Sequence, residues 1–527
     1  MKGENEMRKS TLFAFVLFLL LVVSADLSMA QTKPASKPKY GGTLVFGIEE
    51  DIVSPDTHRP TSRSSRRLIS FYSDGLVGIG NKYEIVPALA QSWDQSKNGL
   101  EYTFHLRKGV KFHNGREVTA EDVKFNIERI QDPKTAAAVK SYYDVVDSVK
   151  AVDRYTVRFT LKKPSGAFFS ILGDPTGGII APECVNKDGS ITQPIGTGPF
   201  EFVEWKPGVH IKFKKYKDYW VKGVPYVDEL LVKILIDPVV RLNALKAGDV
   251  DLTHNLPMSE IFEYQKRPPK DFSILMGPTA GAHFISMNLS KPPFNDVRVR
   301  KAMAYGINKK EMLQAMYQGQ GDVVNQLFLK NGPWYFDIPD YVQDKEKAKA
   351  LLKEVYPNGV DVKLTQANSS LIDMAAAQVM QEQLKDVGFR ISFDVVDMAT
   401  VYARARSGEF TARMDNFGAL PDPHLMYPWF FVHDAPYHRM VGNGYDNPKV
   451  NELLDKAGSS SDYKERKRLY TEATRIILFD DVAMIFTVQS PLTNAFGARS
   501  YLKGFQNHPE GWMVYAKGGF PYVWLDK

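Results

Sequence analysis

Histidines and methionines of the segment 424–440 are the side chains best suited to metal chemistry. Imidazole nitrogen and thioether sulfur can bind nickel, copper or haem iron. The spacings are irregular, and no two of the histidines stand four residues apart. Ordinary loop packing is therefore the favoured interpretation and a nickel or haem site the alternative, so we expect no metal and no cofactor. The residues concerned are His424, Met426, His433, His438 and Met440.

Catalytic motifs are missing from the sequence. It contains no HExxH, CxxC or GxSxG pattern and no phosphate-binding loop. Gly196-Thr-Gly198 is followed by Pro199 and Phe200, which lead into alternating strand patterns and not into the helix that a dinucleotide loop requires. We therefore expect a binding protein and no enzyme, with a secreted hydrolase as the alternative.

A loop rich in glycine, proline and aromatic residues is predicted at 413–431, which reads RMDNFGALPDPHLMYPWFF. This composition is typical of a loop beside rigid apolar groups. Arg413 offers a bidentate fork for a carboxylate. Phe417 and Trp429 could stack on a planar or sugar-like ligand, although core packing fits these two rings equally well.

The elements that must position this loop follow from local patterns. Alternating apolar residues predict strands at 102–107 and 155–161. Thr119 and Asp122 form the pattern of a capping box, which begins a helix. The later sequence alternates between predicted helices and strands, which indicates an α/β fold class. Helices are predicted at 295–316, 345–355, 371–387, 447–456 and 463–479, and strands at 281–288, 389–396 and 482–488.

Three segments resemble the signatures of one family. They are YTFHLRKGVKFHNGREVTAEDVKFNIER at 102–129, PIGTGPF at 194–200 and FNDVRVRKAMAYGIN at 294–308. In order and spacing they resemble the extracytoplasmic solute-binding proteins of ABC importers, family 5, whose branch includes peptide-, opine- and nickel-binding members. The resemblance spans nearly the whole mature chain.

The fold that this resemblance implies has two hinged α/β lobes of the Venus-flytrap type, with an additional subdomain on the first lobe. Its implied boundaries begin with a signal peptide at 1–30. The first lobe is assembled from 31–80, 195–282 and the C-terminal return 490–527. The additional subdomain is 81–194, and the second lobe is 283–489.

The resemblance also places a ligand site in the loop. The family pattern there is Trp-x-x-Asp-x-x-Asp-Pro, and Asp422 matches its end. Ala419 stands where peptide binders carry the Asp that pairs with the ligand's α-ammonium, and Asn416 replaces the Trp. Because a buried ammonium without a carboxylate is costly, we expect ordinary free-amine peptides to be disfavoured, unless Asp415 or Asp422 substitutes. The implied ligand-binding residues are Asp51, Arg413, Asn416, Phe417, Gly418, Ala419, Asp422 and Trp429.

The N-terminus predicts export. Two basic residues precede the apolar run LFAFVLFLLLVV at 12–23, and Ser28-Met-Ala30 is a small-x-small cleavage pattern. The mature chain should begin at Gln31. The single cysteine, Cys184, excludes an intramolecular disulfide and lies far from any lipid-attachment position. We therefore expect a soluble periplasmic protein.

The composition limits the kinds of partner that are expected. The formal charge of +6 over 527 residues is modest, and the basic residues form no aromatic-interleaved stripe, so nucleic acid is not an expected partner. The resemblance implies a small-molecule ligand, delivered to the permease subunits of an ABC importer whose cytoplasmic component uses the ATP. We expect a monomer that does not itself span the membrane.

Overall fold

The computed structural model describes residues 37–59, 62–80, 83–277, 281–368, 370–418, 420–432, 444–506 and 519–527. Tyr40–Lys527 form one compact unit. The predicted signal peptide and its cleavage site lie outside the described residues. In the part of the chain that is described, no helix is long and apolar enough to cross a membrane.

A seven-stranded mixed sheet gathers strands from distant parts of the chain, and we call it and its helices the first lobe. Its central strand β1 runs parallel to β10 and β11, and the outer strands pair antiparallel. From edge to edge it consists of β12 (Phe272–Leu275), β20 (Phe496–Arg499), β11 (Leu252–His254), β1 (Thr43–Ile48), β10 (Glu229–Ile234), β9 (His210–Lys215) and β8 (Phe200–Lys206).

A five-stranded sheet, with its helices, forms the second lobe. Strand β15 lies parallel to β16 and β17, and β13 lies antiparallel to β17 and β18. The chain passes from the first sheet into this sheet at β13 and returns to the first sheet at β20. In spatial order the strands are β16 (Phe389–Val396), β15 (Val360–Ala367), β17 (Ala412–Gly418), β13 (Gly281–Met287) and β18 (Met484–Phe486).

A four-stranded antiparallel sheet with its own apolar core forms a subdomain. Its order is β4 (Ala90–Gln95), β5 (Glu101–Leu106), β7 (Thr156–Leu161) and β6 (Val146–Asp153). The strand and capping-box predictions are confirmed here, since Asp122 accepts from the Thr119 backbone N–H at 2.8 Å. Three two-stranded pairs complete the sheets: β2 (Val77–Ile79) with β3 (Ile85–Pro87), β14 (Asp322–Val323) with β19 (Val488–Gln489), and β21 (Leu502–Lys503) with β22 (Trp524–Leu525).

Helices cover the sheets and join their strands. They are α1 (Arg63–Tyr72), α2 (Ala120–Gln131), α3 (Lys140–Tyr143), α4 (Phe168–Leu172), α5 (Pro238–Ala247), α6 (Met258–Lys266), α7 (Val297–Gly306), α8 (Lys309–Tyr317), α9 (Lys345–Val355), α10 (Leu371–Lys385), α11 (Met398–Ser407), α12 (Tyr427–Phe431), α13 (Pro448–Gly458) and α14 (Tyr463–Arg475). A π-helical turn, Ile476–Asp480, extends α14.

The prediction of one helix over 295–316 is wrong. The chain leaves the helical conformation at Ile307, where ψ is 131°. Asn308 then accepts hydrogen bonds from the backbone N–H groups of Lys310 and Glu311 and begins a second helix. Asparagine caps new helices because its side chain replaces a missing backbone acceptor, so α7 and α8 are separate elements.

Candidate functional site

The carboxyl ends of parallel strands mark the crevice in which open α/β sheets bind ligands. In the first lobe, β1 and β11 end beside Glu49 and His254. In the second lobe, β17 ends in Asn416, Phe417 and Gly418. These two groups of residues are where ligand contacts are expected.

A buried carboxylate lies at the end of β1. Glu49 Oε1 accepts from Ser64 at 3.1 Å and lies 3.4 Å from His254 Nδ1. Burial alone would raise the pKa of Glu49, but the hydrogen bond with His254 and the charges of His254 and Arg67 hold it well below its ordinary value. Glu49 is therefore a carboxylate that already faces cationic partners.

The first half of β17 holds a second buried acid–base pair. Arg413 is 2% exposed, lies over the ring of Phe410 at 5.4 Å and contacts Asp415 at 2.7 Å. Burial raises the pKa of Asp415 to about 7, and the neighbouring Arg413 counteracts only part of that rise. The Asp415 side chain keeps 16% of its surface exposed. This pair is thus largely desolvated, and part of its carboxylate surface remains exposed.

A histidine that the sequence analysis did not single out fixes β13 beside that pair. His283 Nδ1 lies 2.7 Å from Asp373, and its Nε2 lies 2.7 Å from the Tyr317 hydroxyl. Burial opposes ionisation of Asp373, but the hydrogen bond from His283 lowers its pKa below the ordinary value. Both ring nitrogens are engaged, so His283 orients the strand and is not arranged as a base beside a nucleophile.

Asp422 occupies a different environment. It pairs with Arg466 through two contacts of 2.7 and 2.8 Å, and both side chains are at most 5% exposed. It also accepts from the His424 backbone N–H at 2.9 Å. Arg466 in turn donates to the carbonyls of Ala457 and Gly166. This saturated carboxylate ties the loop to α14 and to the subdomain.

The aromatic residues of the loop pack against protein rings. Trp429 and Tyr142 of the subdomain stack with centroids 4.7 Å apart and planes 5° apart. Phe417 meets Phe430 edge-to-face at 5.0 Å. Core packing, which the sequence left open, is thus what both rings do here, and Trp429 joins the second lobe to the subdomain.

The other predicted contact residues divide between exposed and engaged positions. Asn416 is exposed and pairs across the sheet with His283, and Gly418 pairs with Gly281. Ala419 lies outside the described residues. Asp51 accepts from Trp205 Nε1 at 2.9 Å and from the Gly208 backbone N–H at 2.6 Å, so its carboxylate holds the β8–β9 hairpin.

The histidine–methionine cluster is described only in part. His433, His438 and Met440 lie outside the described residues. Burial lowers the pKa of His424 to about 4, which keeps its imidazole neutral at physiological pH. Among the described residues, no group of three or more His, Cys, Asp or Glu side chains could hold a metal ion.

A cavity of about 560 Å³ lies near the crevice, between Tyr83 and the second-lobe segment 322–335, and Gln489 also lines it. None of the predicted contact residues that the structure describes is in its wall.

Two α/β lobes, each built on its own sheet and joined where the chain passes between the sheets, are the architecture of the periplasmic binding proteins. Comparison with known proteins agrees. The profile of the bacterial extracellular solute-binding proteins, family 5 middle, matches residues 84–439. The glutathione-binding protein GsiB of Pectobacterium atrosepticum is 27% identical over 492 residues, which cover 88% of this chain and 92% of GsiB.

Solved structures show the same architecture. AgaA of A. tumefaciens R10, in complex with agropinic acid, has a TM-score of 0.77 and 29% identity, covering 92% of this chain and 99% of AgaA. DppA of Helicobacter pylori, in complex with peptide STSA, has a TM-score of 0.77 and 29% identity, covering 93% of this chain and 99% of DppA.

This chain belongs to family 5 of the extracellular solute-binding proteins. It is the solute-binding component of an ABC importer, and the family resemblance found in the sequence is confirmed. The relatives named above are binding proteins by name and not enzymes.

Proposed function

We propose that the solute is captured along β17, with Arg413, Asp415, Asn416, Phe417 and Gly418 as its second-lobe contacts. The observation that supports this most directly is the Arg413–Asp415 pair, which is largely buried while the Asp415 side chain keeps 16% of its surface exposed. Closure of the lobes follows if the solute touches both of them only in the closed form, since binding then shifts the population toward that form.

The charges of the site argue against an ordinary free-amine peptide. Glu49, Asp415 and Asp422 each face a cationic partner, and Asp422 is saturated. Ala419 supplies no charge at the position where peptide binders carry an acid. A ligand ammonium would have to displace a guanidinium from its carboxylate, which is unfavourable in a desolvated site.

An anionic solute suits the site better, because the fork of Arg413 can bind a carboxylate bidentately. The agropinic acid bound by AgaA is a ligand of this kind by name. The peptide alternative would need Asp415 to release Arg413 and accept the ammonium. The nickel, haem and hydrolase alternatives have no support among the described residues.

Mass spectrometry of the solute that co-purifies with the protein tests this proposal. We expect a compound with at least one acidic group and no free α-ammonium. Thermal-shift assays with Ala-Ala and N-acetyl-Ala-Ala supply the control. Weak or equal stabilisation by the two agrees with the proposal, whereas strong stabilisation that acetylation abolishes would show that a carboxylate of this chain binds an ammonium.

Delivery and location complete the proposal. We propose that the signal peptide is removed after Ala30 and that the mature monomer works in the periplasm and docks on permease subunits. N-terminal sequencing of protein from the periplasmic fraction should begin at Gln31, and light scattering should give the mass of one chain. A retained N-terminus or a stable dimer would contradict these two points.

A further inference from the structure

The 560 Å³ cavity has the size of a ligand site. Small-molecule sites in proteins enclose roughly 300–1,000 Å³. Its walls come from the second lobe, where β14 and the segment up to Tyr335 surround it, and Tyr83 of the segment that joins β2 to β3 closes one side.

Most of the cavity wall is apolar. Val323, Val324, Phe328, Leu329 and Pro333 contribute aliphatic and aromatic surface, whereas the charged Asp322 and Lys330 are exposed residues of the wall. Such a wall favours an uncharged aliphatic or aromatic group.

One buried amide residue lines this space. Gln489 is 7% exposed, and among the described residues its side-chain nitrogen has no hydrogen-bond partner. An unsatisfied buried donor is destabilising. A ligand oxygen that accepts from Gln489 would remove that cost, so the amide selects a group that carries a carbonyl or similar acceptor.

The cavity is connected to the β17 loop in two ways. A smaller recess shares Tyr83, Phe328, Leu329, Gly332 and Pro333 with the cavity, and its wall continues to Leu420 and Pro421. Across the sheet, β13 pairs on one side with β17, and on the other side its His283 carbonyl accepts from Thr487, two residues before Gln489. Arg413 lies opposite Ser286, which in turn lies opposite Met484, so Gln489 is offset from Arg413 both across and along the strands.

We propose that this cavity is a second subsite of the same ligand, which takes an uncharged aliphatic or aromatic group with a hydrogen-bond acceptor held by Gln489. The proposal rests on the proposed function, because the charged end of the solute would lie at Arg413. The solute is then an elongated, amphipathic acid with its acidic end at Arg413 and its apolar end in the cavity.

Disulfide tethering tests the cavity without the natural ligand. Val323→Cys places a thiol in the wall of the cavity, which Val323 and Gln489 both line. Val152→Cys is the matched control, because Val152 is also an exposed strand valine and lines no part of the cavity. Cys184 is buried and gives little background. The probes are cystamine-type disulfides that carry a phenylacetyl amide or an acetyl amide.

With β-mercaptoethanol present to bring disulfide exchange to equilibrium, the phenylacetyl amide should label Val323→Cys about tenfold more than Val152→Cys. This ratio corresponds to roughly 1.4 kcal/mol of added contact. The acetyl amide should show little preference between the two sites. Adding Gln489→Leu to the Val323→Cys background should reduce the preference several-fold, with the melting temperature confirming that the protein is folded.

Equal labelling at both cysteines would overturn the subsite. A preference that survives Gln489→Leu would overturn the role of the amide. Tethering measures neither binding of the natural solute nor transport. Its outcome is therefore distinct from a failure of the proposed function, which would appear as a co-purified solute without an acidic group.

Discussion

Two buried arginine–aspartate pairs lie within the same stretch of chain and differ in the exposure of the acid, which is 4% for Asp422 and 16% for Asp415. Asp422 makes two contacts with Arg466 and one with a backbone N–H, and Arg466 also donates to two carbonyls. Asp415 contacts Arg413 at 2.7 Å, and burial raises its pKa to about 7. A saturated pair stabilises a fold, whereas a buried acid with a raised pKa is a candidate for a functional site.

This difference separates the loop into two functions. The family pattern emphasises Asp422, because it is the acid of the matching Asp-Pro. In the structure, Asp422 is engaged by Arg466, which also contacts the subdomain, and the Arg413–Asp415 pair is the one that we propose as a ligand contact. The residue that best matches the motif is therefore not part of the proposed site.

Removal of the saturated acid should give the largest effect. Asp422→Ala leaves Arg466 buried without its partner, which should lower the free energy of unfolding by about 3–5 kcal/mol. Urea unfolding followed by circular dichroism measures it. Asp455→Ala is the control, since Asp455 also reaches the subdomain, through an exposed pair with Lys163 at 3.2 Å, and should cost at most about 1 kcal/mol. Equal losses of unfolding free energy in the two variants would contradict the greater structural importance of Asp422.

The pH dependence of stability should single out Asp415. Its folded-state pKa is raised to about 7 from the ordinary value of 3.8, so between these values the folded state binds more protons than the unfolded state. Stability therefore falls as pH rises through that window. Asp415→Asn should remove this fall and be more stable than the wild type at pH 8, but not at pH 4. Parallel pH profiles for the two proteins would contradict the assignment.

Arg413→Lys should reduce affinity for the co-purified solute about tenfold or more, because an ammonium cannot reproduce the planar fork of a guanidinium. Isothermal titration calorimetry measures this loss. Arg404→Lys is the matched control, since Arg404 pairs with Asp394 and takes no part in the proposed site. A loss of affinity in the control alone would place the acid-binding residue elsewhere.

The smallest expected effect concerns the aromatic contact beside the saturated pair. A double-mutant cycle of Trp429→Ala and Tyr142→Ala should give a coupling of about 0.5–1.5 kcal/mol in unfolding, typical of a stacked pair. The cycle with Phe417→Ala in place of Trp429→Ala is the control and should give no coupling. If Trp429 instead binds solute, its substitution will lower affinity more than stability.

Local signals predicted the parts of the fold that depend on neighbours in sequence. The strand Glu101–Leu106 and the capping box at Thr119 follow from alternation and from one side-chain acceptor. The break between α7 and α8 was missed, although Asn308 is itself a capping residue, because the apolar pattern continues across it.

The candidate site could be predicted only as a loop. Its organisation depends on partners far away in the chain, such as Arg466 for Asp422, Tyr142 for Trp429 and Asp373 for His283. A polar histidine in the apolar segment GAHFISMN was a signal that could have indicated a buried network. Nothing local indicated which of two aspartates would be saturated.

A crystal structure of the protein with its co-purified solute tests the central claim most directly. The account predicts an acidic group of the solute within hydrogen-bond distance of Arg413, with the Asp422–Arg466 pair intact and not in contact with the solute. A solute whose ammonium is held by Asp422, or one that lies away from the end of β17, would contradict it.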